Sequence, residues 1–292
     1  MKSNPGFYRN FNLKKAVKLI RQSLKEDIGK GDVTSELLIS KDSVSNAEII
    51  VKENGIAAGL NIFCMVFHLT DKNVKAGFNL KEGDRFRKNT VIGYVKGKTT
   101  SLLKCERVAL NILQRMCGIA TNADRMVRLL NNEKIKIIDT RKTTPNFRLF
   151  EKLAVKIGGA ENHRSGLYDM VLIKDNHIEA CGGIENTLRM IDKSDKFKNL
   201  KKEIEVKNLK ELETVLNSGT KKIHRIMLDN FSLKDVISAA EMNQGRYEIE
   251  VSGGINESNI RNYRKLSGIN YISMGSLTHS SKSLDISFNF IT

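Results

Sequence analysis

The sequence predicts an α/β protein in two parts: a mixed, sandwich-like first part and a second part of repeated βα units with parallel strands. Three observations carry this. Up to about residue 133, short strand-like and helix-like segments follow one another without a repeat. From about residue 134, short apolar runs alternate with segments of helical spacing, the pattern of a parallel sheet with helical crossovers. Between them lies one long helical stretch, 101–131. The expected division is 1–133 and 134–292, with a last strand, 284–291, a candidate to return to the first part.

In order along the chain, Leu13, Val17, Ile20 and Leu24 recur at helical spacing and predict a helix over 11–26. EDIGKGDVTS, Glu26 to Ser35, reads as a glycine-punctuated loop. Residues 47–52 and 91–95 read as strands, with a helix at 61–69 between them. GFNLKEGDRF, 77–86, reads as a strand, a Gly-Asp turn and a second strand. Gly118 is a candidate kink in the long helix, because glycine is a poor interior helix residue. The second part offers strands at Ile135–Ile138, Met170–Ile173, Ile204–Val206, Ile226–Leu228, Ile249–Val251 and Tyr271–Met274. Helices are expected near 146–157, 184–193, 208–217, 232–243 and 257–266. A closed barrel and an open doubly wound sheet both fit this alternation.

Composition narrows the function classes. The chain has 292 residues, 40% apolar and 28% charged, which is ordinary for a globular protein. No run of about 18 apolar residues is present and the N-terminus lacks an apolar leader, so a cytoplasmic protein with no membrane partner is expected. Cys64, Cys105, Cys117 and Cys181 form no CxxC pair and no metal-ligand spacing, which suits reduced thiols. The net charge of +16 suits an anionic partner, although the lysines are spread along the chain and a solvated surface explains much of it. Nucleic acid is disfavoured: aromatics are only 6%, tryptophan is absent and no binding motif interleaves aromatics with a basic stripe.

The polar residues at the strand ends point to chemistry. Asp139, Thr140, Arg141 and Lys142 follow the first strand of the second part, and Lys174 follows the second. Glu205 lies in the third, Asp229 ends the fourth, Ser252, Gly253 and Gly254 follow the fifth, and Gly275 closes the sixth. In a barrel these strand ends meet on one face, where active sites are built. Arg141, Arg164 and Lys174, with His163 close in sequence, make a cationic set suited to a ligand with at least two negative charges. VSGGI and SMGSLTH read as phosphate cradles, with backbone N–H groups and a following helix N-terminus facing the anion. Glu205 and Asp229 suit Mg²⁺ or ribose hydroxyls. Singly, each such residue is more often a turn or cap residue; it is their agreement across six strands that argues for a site.

DTRKTTPNFRLFEKLAVKIGGAENHRSGLYDMVLIKDNHI, 139–178, resembles the signature stretch of the quinolinate phosphoribosyltransferases. The likeness extends to EDIGKGDVTS, ERVALNILQRMCGIAT, EIEV, IMLDN, VSGGIN and YISMGSLTHSS, in that order, and so covers nearly the whole chain. It implies an N-terminal α/β open sandwich domain and a C-terminal (β/α) barrel of seven parallel strands, one more than the pattern reveals. It also implies quinolinate and phosphoribosyl pyrophosphate as substrates, Mg²⁺ as cofactor, and a homodimer in which Arg107 is lent to the neighbouring active site. By the same resemblance, Arg141, His163, Arg164 and Lys174 grip the two carboxylates of quinolinate. Thr140 and Lys142 meet the substrates, Lys142 on the phosphoribosyl pyrophosphate. Glu205 and Asp229 stand by the ribose and Mg²⁺. Ser252, Gly253, Gly254, Ser273, Met274 and Gly275 cradle the 5′-phosphate, with His279 completing the cradle. Lys142, Lys174, Glu205 and Asp229 are the expected catalytic residues. Three positions depart from the family pattern: Asn146 stands where glycine is expected, Ala160 interrupts a glycine run, and Cys117 replaces a serine. The nearest rivals, a related protein of molybdenum metabolism and a non-decarboxylating nicotinate phosphoribosyltransferase, fit less well. The first should lack the intact NHRSGLYDMVLIKDNH stretch, and the second needs fewer cations.

Overall fold

A computed structural model describes residues 5–291. The chain forms two compact units by internal contacts, 1–124 with 143–159 and 277–292, and 125–142 with 160–276.

The first unit opens with α1 (Pro5–Tyr8), α2 (Leu13–Ile28) and α3 (Val33–Leu38). It continues through β1 (Val44–Val51), β2 (Gly55–Ile56), α4 (Leu60–Thr70), β3 (Lys75–Phe78), β4 (Arg85–Phe86) and β5 (Thr90–Lys98). Then come the long α5 (Thr99–Leu130), β6 (Lys136–Ile138) and α6 (Arg148–Ile157), of which β6 lies in the second unit. The stretch 26–35 is not one loop. Helix α2 runs on to Ile28, Gly29 ends it at φ 56°, and Asp32 caps α3 by accepting from the Ser35 N–H. The main sheet has the order β12-β1-β5-β3, where β12 is the terminal strand Ile286–Ile291, antiparallel to β1. Strand β1 buries every second residue, Ala47, Ile49 and Val51, as a sheet covered on one face requires. Helix α4 supplies the cover: Phe63 meets Phe67 and Phe78, and Phe67 stacks with Phe288 of β12.

The strand, Gly-Asp turn and strand expected at 77–86 are present, as β3 and β4, but the two strands do not pair with each other. In the turn the Asp84 N–H donates to the Lys81 carbonyl, and β3 pairs with β5 while β4 pairs with β2. Gly118 does not kink α5, which is continuous through it. A Cβ there would stand 1.9 Å from the Lys282 carbonyl oxygen, so glycine is required by the close passage of another backbone and not by helix geometry.

The second unit adds β7 (Val171–Ile173), α7 (Asp175–Ala180), α8 (Ile184–Lys193), β8 (Lys202–Val206), α9 (Leu209–Asn217), β9 (Arg225–Asp229), α10 (Leu233–Asn243), β10 (Glu248–Ser252) and β11 (Tyr271–Ser273). All pair in parallel, in the order β6-β11-β10-β9-β8-β7. The seventh strand is present in minimal form: Glu161 bridges Ile138 in parallel, exchanging hydrogen bonds with Ile137 and Asp139. Strand β8 is buried along its whole length, as expected of an inner parallel strand. The helix expected at 257–266 is reduced to one 3₁₀ turn, Ile260–Tyr263. The departures from the family pattern have local reasons. Asn146 adopts φ 61°, a left-handed conformation that asparagine tolerates best after glycine. The Cys117 thiol, fully buried, both donates to and accepts from the Ala58 backbone, as a serine hydroxyl would.

A candidate active site on the parallel sheet

The exit ends of the strands are in register. Ile138 pairs with Ser273, Ser273 with Ser252, and Ser252 with Asp229. The residues that follow therefore share one edge: Thr140 to Lys142 after β6, Gly275 after β11, Gly253 and Gly254 after β10. On the same edge the Lys174 ammonium, just past β7, donates to Glu205 Oε2 at 2.9 Å. Glu205 and Glu203 point to the same side of β8, two residues apart, but only Glu205 reaches this edge. Asp229 is partly exposed and accepts from the Asn230 side chain at 2.8 Å. Lys142 is exposed, in a turn where its N–H donates to Thr140 Oγ1.

The glycine element is built for close approach. Gly253 and Gly254 take φ 94° and 63°, and a Cβ on Gly253 would fall 2.1 Å from Asn230 Oδ1 and 2.9 Å from its backbone nitrogen. Two consecutive left-handed residues turn backbone N–H groups outward into a concavity that suits an anion. The cradle differs from expectation in two ways. No extended helix follows it, so a helix dipole contributes little. The Met274 N–H is already donated to Ile138 in the strand ladder, and Ser273 is buried with its hydroxyl facing inward.

Behind the edge lies a buried polar cluster that sequence reasoning did not find. His163 Nε2–H donates to Glu203 Oε2 at 3.1 Å and lies 3.4 Å from Glu250 Oε2. Its Nδ1 accepts the Arg164 N–H at 2.7 Å. Arg225 donates to Glu250 at 2.9 Å and to Glu248 at 3.2 Å, and its guanidinium stacks 3.7 Å over the Tyr271 ring. Burial opposes charging His163, but the two carboxylates outweigh it and push its pKa up to about 9. The Arg164 contact pulls the other way, since an Nδ1–H would crowd two hydrogens between atoms 2.7 Å apart. In the neutral ring that contact places the proton on Nε2. Burial and then the Glu250 charge push Glu203 up. Burial pushes Glu250 up too, but His163 and Arg225 outweigh it and hold it down. These three side chains have metal-like spacing, yet Glu250 is matched by Arg225 and the set includes a nitrogen, a poor fit to Mg²⁺.

Arg164 turns to the entering end of β7, where it donates to the Met170 carbonyl at 3.2 Å and lines a cavity of about 500 Å³ with Lys201 and Arg225. Burial and then the charge of Arg141 push its pKa down. Arg107 and His279 belong to the first unit and are exposed; the Arg107 side chain, 61% exposed, lies beside Glu106. No helix among the described residues is long and apolar enough to cross a membrane.

Two family models match the chain: "Quinolinate phosphoribosyl transferase, N-terminal domain" over residues 32–117 and "Quinolinate phosphoribosyl transferase, C-terminal domain" over 119–289. A relative from Bacillus subtilis (strain 168), described as a probable nicotinate-nucleotide pyrophosphorylase [carboxylating], is 43% identical over 93% of this chain and 92% of its own. Among solved structures, NadC from Streptococcus pyogenes has a TM-score of 0.88 at 37% identity over all of both chains. The nicotinate-nucleotide pyrophosphorylase from Ehrlichia chaffeensis has a TM-score of 0.88 at 35% identity, over 97% of this chain and 100% of its own.

Proposed function

The chain belongs to the quinolinate phosphoribosyltransferase family, and from that premise we infer its reaction. It is a decarboxylating phosphoribosyltransferase of NAD biosynthesis that converts quinolinate and phosphoribosyl pyrophosphate to nicotinate mononucleotide, CO2 and pyrophosphate. The observation that carries the assignment of this activity to the strand edge is the register of Lys174–Glu205, Asp229 and Gly253–Gly254 along it.

In our reading, the ring nitrogen of quinolinate attacks C1 of the ribose as the C1–O bond to pyrophosphate breaks. Arg141 and Lys174 hold the two carboxylates and set the attack geometry, an effect that can supply several kcal/mol; Arg164 joins them by releasing the Met170 carbonyl, on which it rests at the entering end of β7. Glu205 and Asp229 orient the ribose hydroxyls, Thr140 and Lys142 meet the substrates, and the 252–254 turn, with Gly275 after β11, receives the 5′-phosphate. The same two carboxylates fit Mg²⁺, being hard oxygen ligands on adjacent strands. Bound there with pyrophosphate, the ion would neutralise charge on the leaving group. The ribosylated nitrogen is cationic and stabilises the electron pair left at the adjacent carbon when CO2 departs; a proton from solvent then completes nicotinate mononucleotide. No covalent enzyme intermediate is required. Arg107 and His279 rest on the resemblance: Arg107, exposed, is suited to reach a neighbouring subunit in a homodimer. A reducing cytoplasm suits the buried thiols of Cys105 and Cys117, which burial pushes up to about 11 and about 12.

The test is an assay with quinolinate, phosphoribosyl pyrophosphate and Mg²⁺ that follows nicotinate mononucleotide and CO2 together, with nicotinate as parallel substrate. Both products should form from quinolinate and neither mononucleotide nor CO2 from nicotinate. Product from nicotinate at a comparable rate would overturn the dicarboxylate reading.

Replacing Gly253 tests the cradle. Gly253→Ala forces a Cβ against the Asn230 backbone at a positive φ, so the turn must shift. A misplacement of about 1 Å can cost roughly 10²-fold. The KM for phosphoribosyl pyrophosphate should rise by at least about 10-fold while binding of quinolinate alone is little changed. An unchanged KM would remove this turn from the phosphate site.

A further inference from the structure

We propose that Arg115 and Glu151 are positioning residues for phosphoribosyl pyrophosphate: one buried ion pair ties the turn at Thr144, two residues past Lys142, to the segment that carries His279. This rests on the phosphoribosyltransferase reading above. In it neither side chain of the pair touches substrate; both act through the backbone of the segments they join.

Glu151 stands in the first turn of α6 and is fully buried. Both of its oxygens turn back to the loop that enters the helix. Oε2 accepts the Thr144 N–H at 3.0 Å, and Oε1 accepts the Thr144 hydroxyl at 2.9 Å. Pro145 follows at once and restricts the backbone of Thr144 further. The chain that leaves Lys142 is therefore fixed two residues on. Arg115, midway along α5, does the same for the second segment. Its Nε and Nη2 donate to Glu151 at 3.0 and 2.8 Å, and the fork also donates to the Thr278 carbonyl at 2.6 Å and to the Ser281 carbonyl. Those two carbonyls lie on either side of His279 in the chain.

Attachment alone does not account for the pair. The 277–281 segment is also tied to α5 by Asn122, whose amide donates to the Ser281 hydroxyl at 2.8 Å. What Asn122 cannot do is relate that segment to the Thr144 turn. The guanidinium does so, because its planar fork fixes the angle between a carboxylate on one side and carbonyls on the other, which a lysine ammonium does not. In the reading above Lys142 meets phosphoribosyl pyrophosphate and His279 completes the cradle for its 5′-phosphate. Both segments therefore serve the same substrate, and a shift of either should be felt by that substrate rather than by the dicarboxylate.

The test measures calorimetric binding of benzene-1,2-dicarboxylate, which has both carboxylates and no nucleophilic nitrogen, and then of phosphoribosyl pyrophosphate with Mg²⁺ in its presence. Thr144→Val deletes the hydroxyl bond to the carboxylate and keeps the N–H. It should weaken phosphoribosyl pyrophosphate binding by about 3- to 10-fold, as the loss of one hydrogen bond to a charged group allows, and dicarboxylate binding by less than about 2-fold. Thr144→Ser keeps the hydroxyl and should bind both as wild type does. Arg115→Lys keeps the charge but not the fork; it should weaken phosphoribosyl pyrophosphate binding by about 10- to 100-fold, as expected for a displacement of about 1 Å. Phe63→Leu, at a fully buried position on α4, is the comparator for lost stability: it should lower the melting temperature and leave both affinities unchanged. If Arg115→Lys does not fold, the two Thr144 variants decide. Wild-type binding by Thr144→Val, equal loss of both ligands, or the same split in Phe63→Leu overturns the proposal. Wild type that binds the dicarboxylate but no phosphoribosyl pyrophosphate overturns the phosphoribosyltransferase reading and this inference with it, whereas variants that bind as wild type does leave that reading standing.

Discussion

Lys174→Ala is expected to lower kcat/KM for quinolinate by about 10²- to 10³-fold, the range measured when one partner of a close charge pair is removed. The residue sits where a mobile cation is useful. Its backbone is fixed at the start of α7, with the N–H donated to His177 Nδ1, while the side chain remains 47% exposed. Without ligand the ammonium rests on Glu205 at 2.9 Å. Removing it both deletes an attraction for a substrate carboxylate and leaves the buried Glu205 carboxylate near that substrate, where like charges repel. The two effects are separable. In a Glu205→Gln background the same lysine deletion should cost less, because the repulsive part has gone, and the difference is the coupling between them. The measurement is a double-mutant cycle on kcat/KM for quinolinate, with thermal melting to show that each variant is folded. A fall of less than about 3-fold for Lys174→Ala would mean that this cation faces solvent rather than substrate.

Much of this site is legible in the sequence itself, and the reason is local. The parallel strands are short segments of three to five residues centred on apolar positions, and polar or glycine residues cluster where the chain leaves the sheet. Lys174, Asp229 and Gly253–Gly254 are found by that rule, whereas Glu205, inside β8, is found by alternation and motif register. The seventh strand escapes because it is a single bridge at Glu161 inside a glycine-rich, polar stretch with no apolar run. Helix α7 escapes because its sequence, DNHIEA, buries nothing. The strand, turn and strand at 77–86 are legible because each is local; their partners, β5 and β2, are not, because the choice of partner strand is not a local property. His163 is the instructive case. Its sequence neighbours place it in a cationic set with Arg141, Arg164 and Lys174, yet its ring partners are Glu203 and Glu250 on two separate strands. Period-2 alternation in EIEV shows that Glu203 and Glu205 share a face; how deep each lies depends on strand register with β7 and β9, which no single segment encodes.

Glu151→Ala should be among the most destabilising single changes in the first unit, costing about 3–5 kcal/mol, because it strips the partner from a largely buried charge. Glu151 lies on α6 and is fully buried. Its Oε1 accepts from Arg115 Nη2 at 2.8 Å, from Arg115 Nε at 3.0 Å and from the Thr144 hydroxyl at 2.9 Å, and its Oε2 accepts the Thr144 N–H at 3.0 Å. The same Arg115 donates to the carbonyls of Thr278 and Ser281. One ion pair therefore holds together α5, the loop that enters α6 and the chain around His279. At roughly 2–4 °C per kcal/mol for a chain somewhat smaller than this one, the melting temperature should fall by about 10 °C. The compensating variant distinguishes lost pairing from lost volume. Adding Arg115→Met to Glu151→Leu removes both charges; by the general behaviour of buried pairs that exchange is close to neutral. Here it should still cost a few kcal/mol, because the Ser281 carbonyl loses its Arg115 donor and the Thr144 N–H and hydroxyl lose their Glu151 acceptor, while the Thr278 carbonyl keeps the Ser281 N–H at 3.4 Å; a buried group left unsatisfied costs about 1–3 kcal/mol. The expected order of stability is thus wild type, then the double variant, then Glu151→Ala, measured by urea unfolding. If Glu151→Ala costs less than about 1 kcal/mol, water reaches Arg115 readily, and the pair is not what holds the 278–281 segment in place.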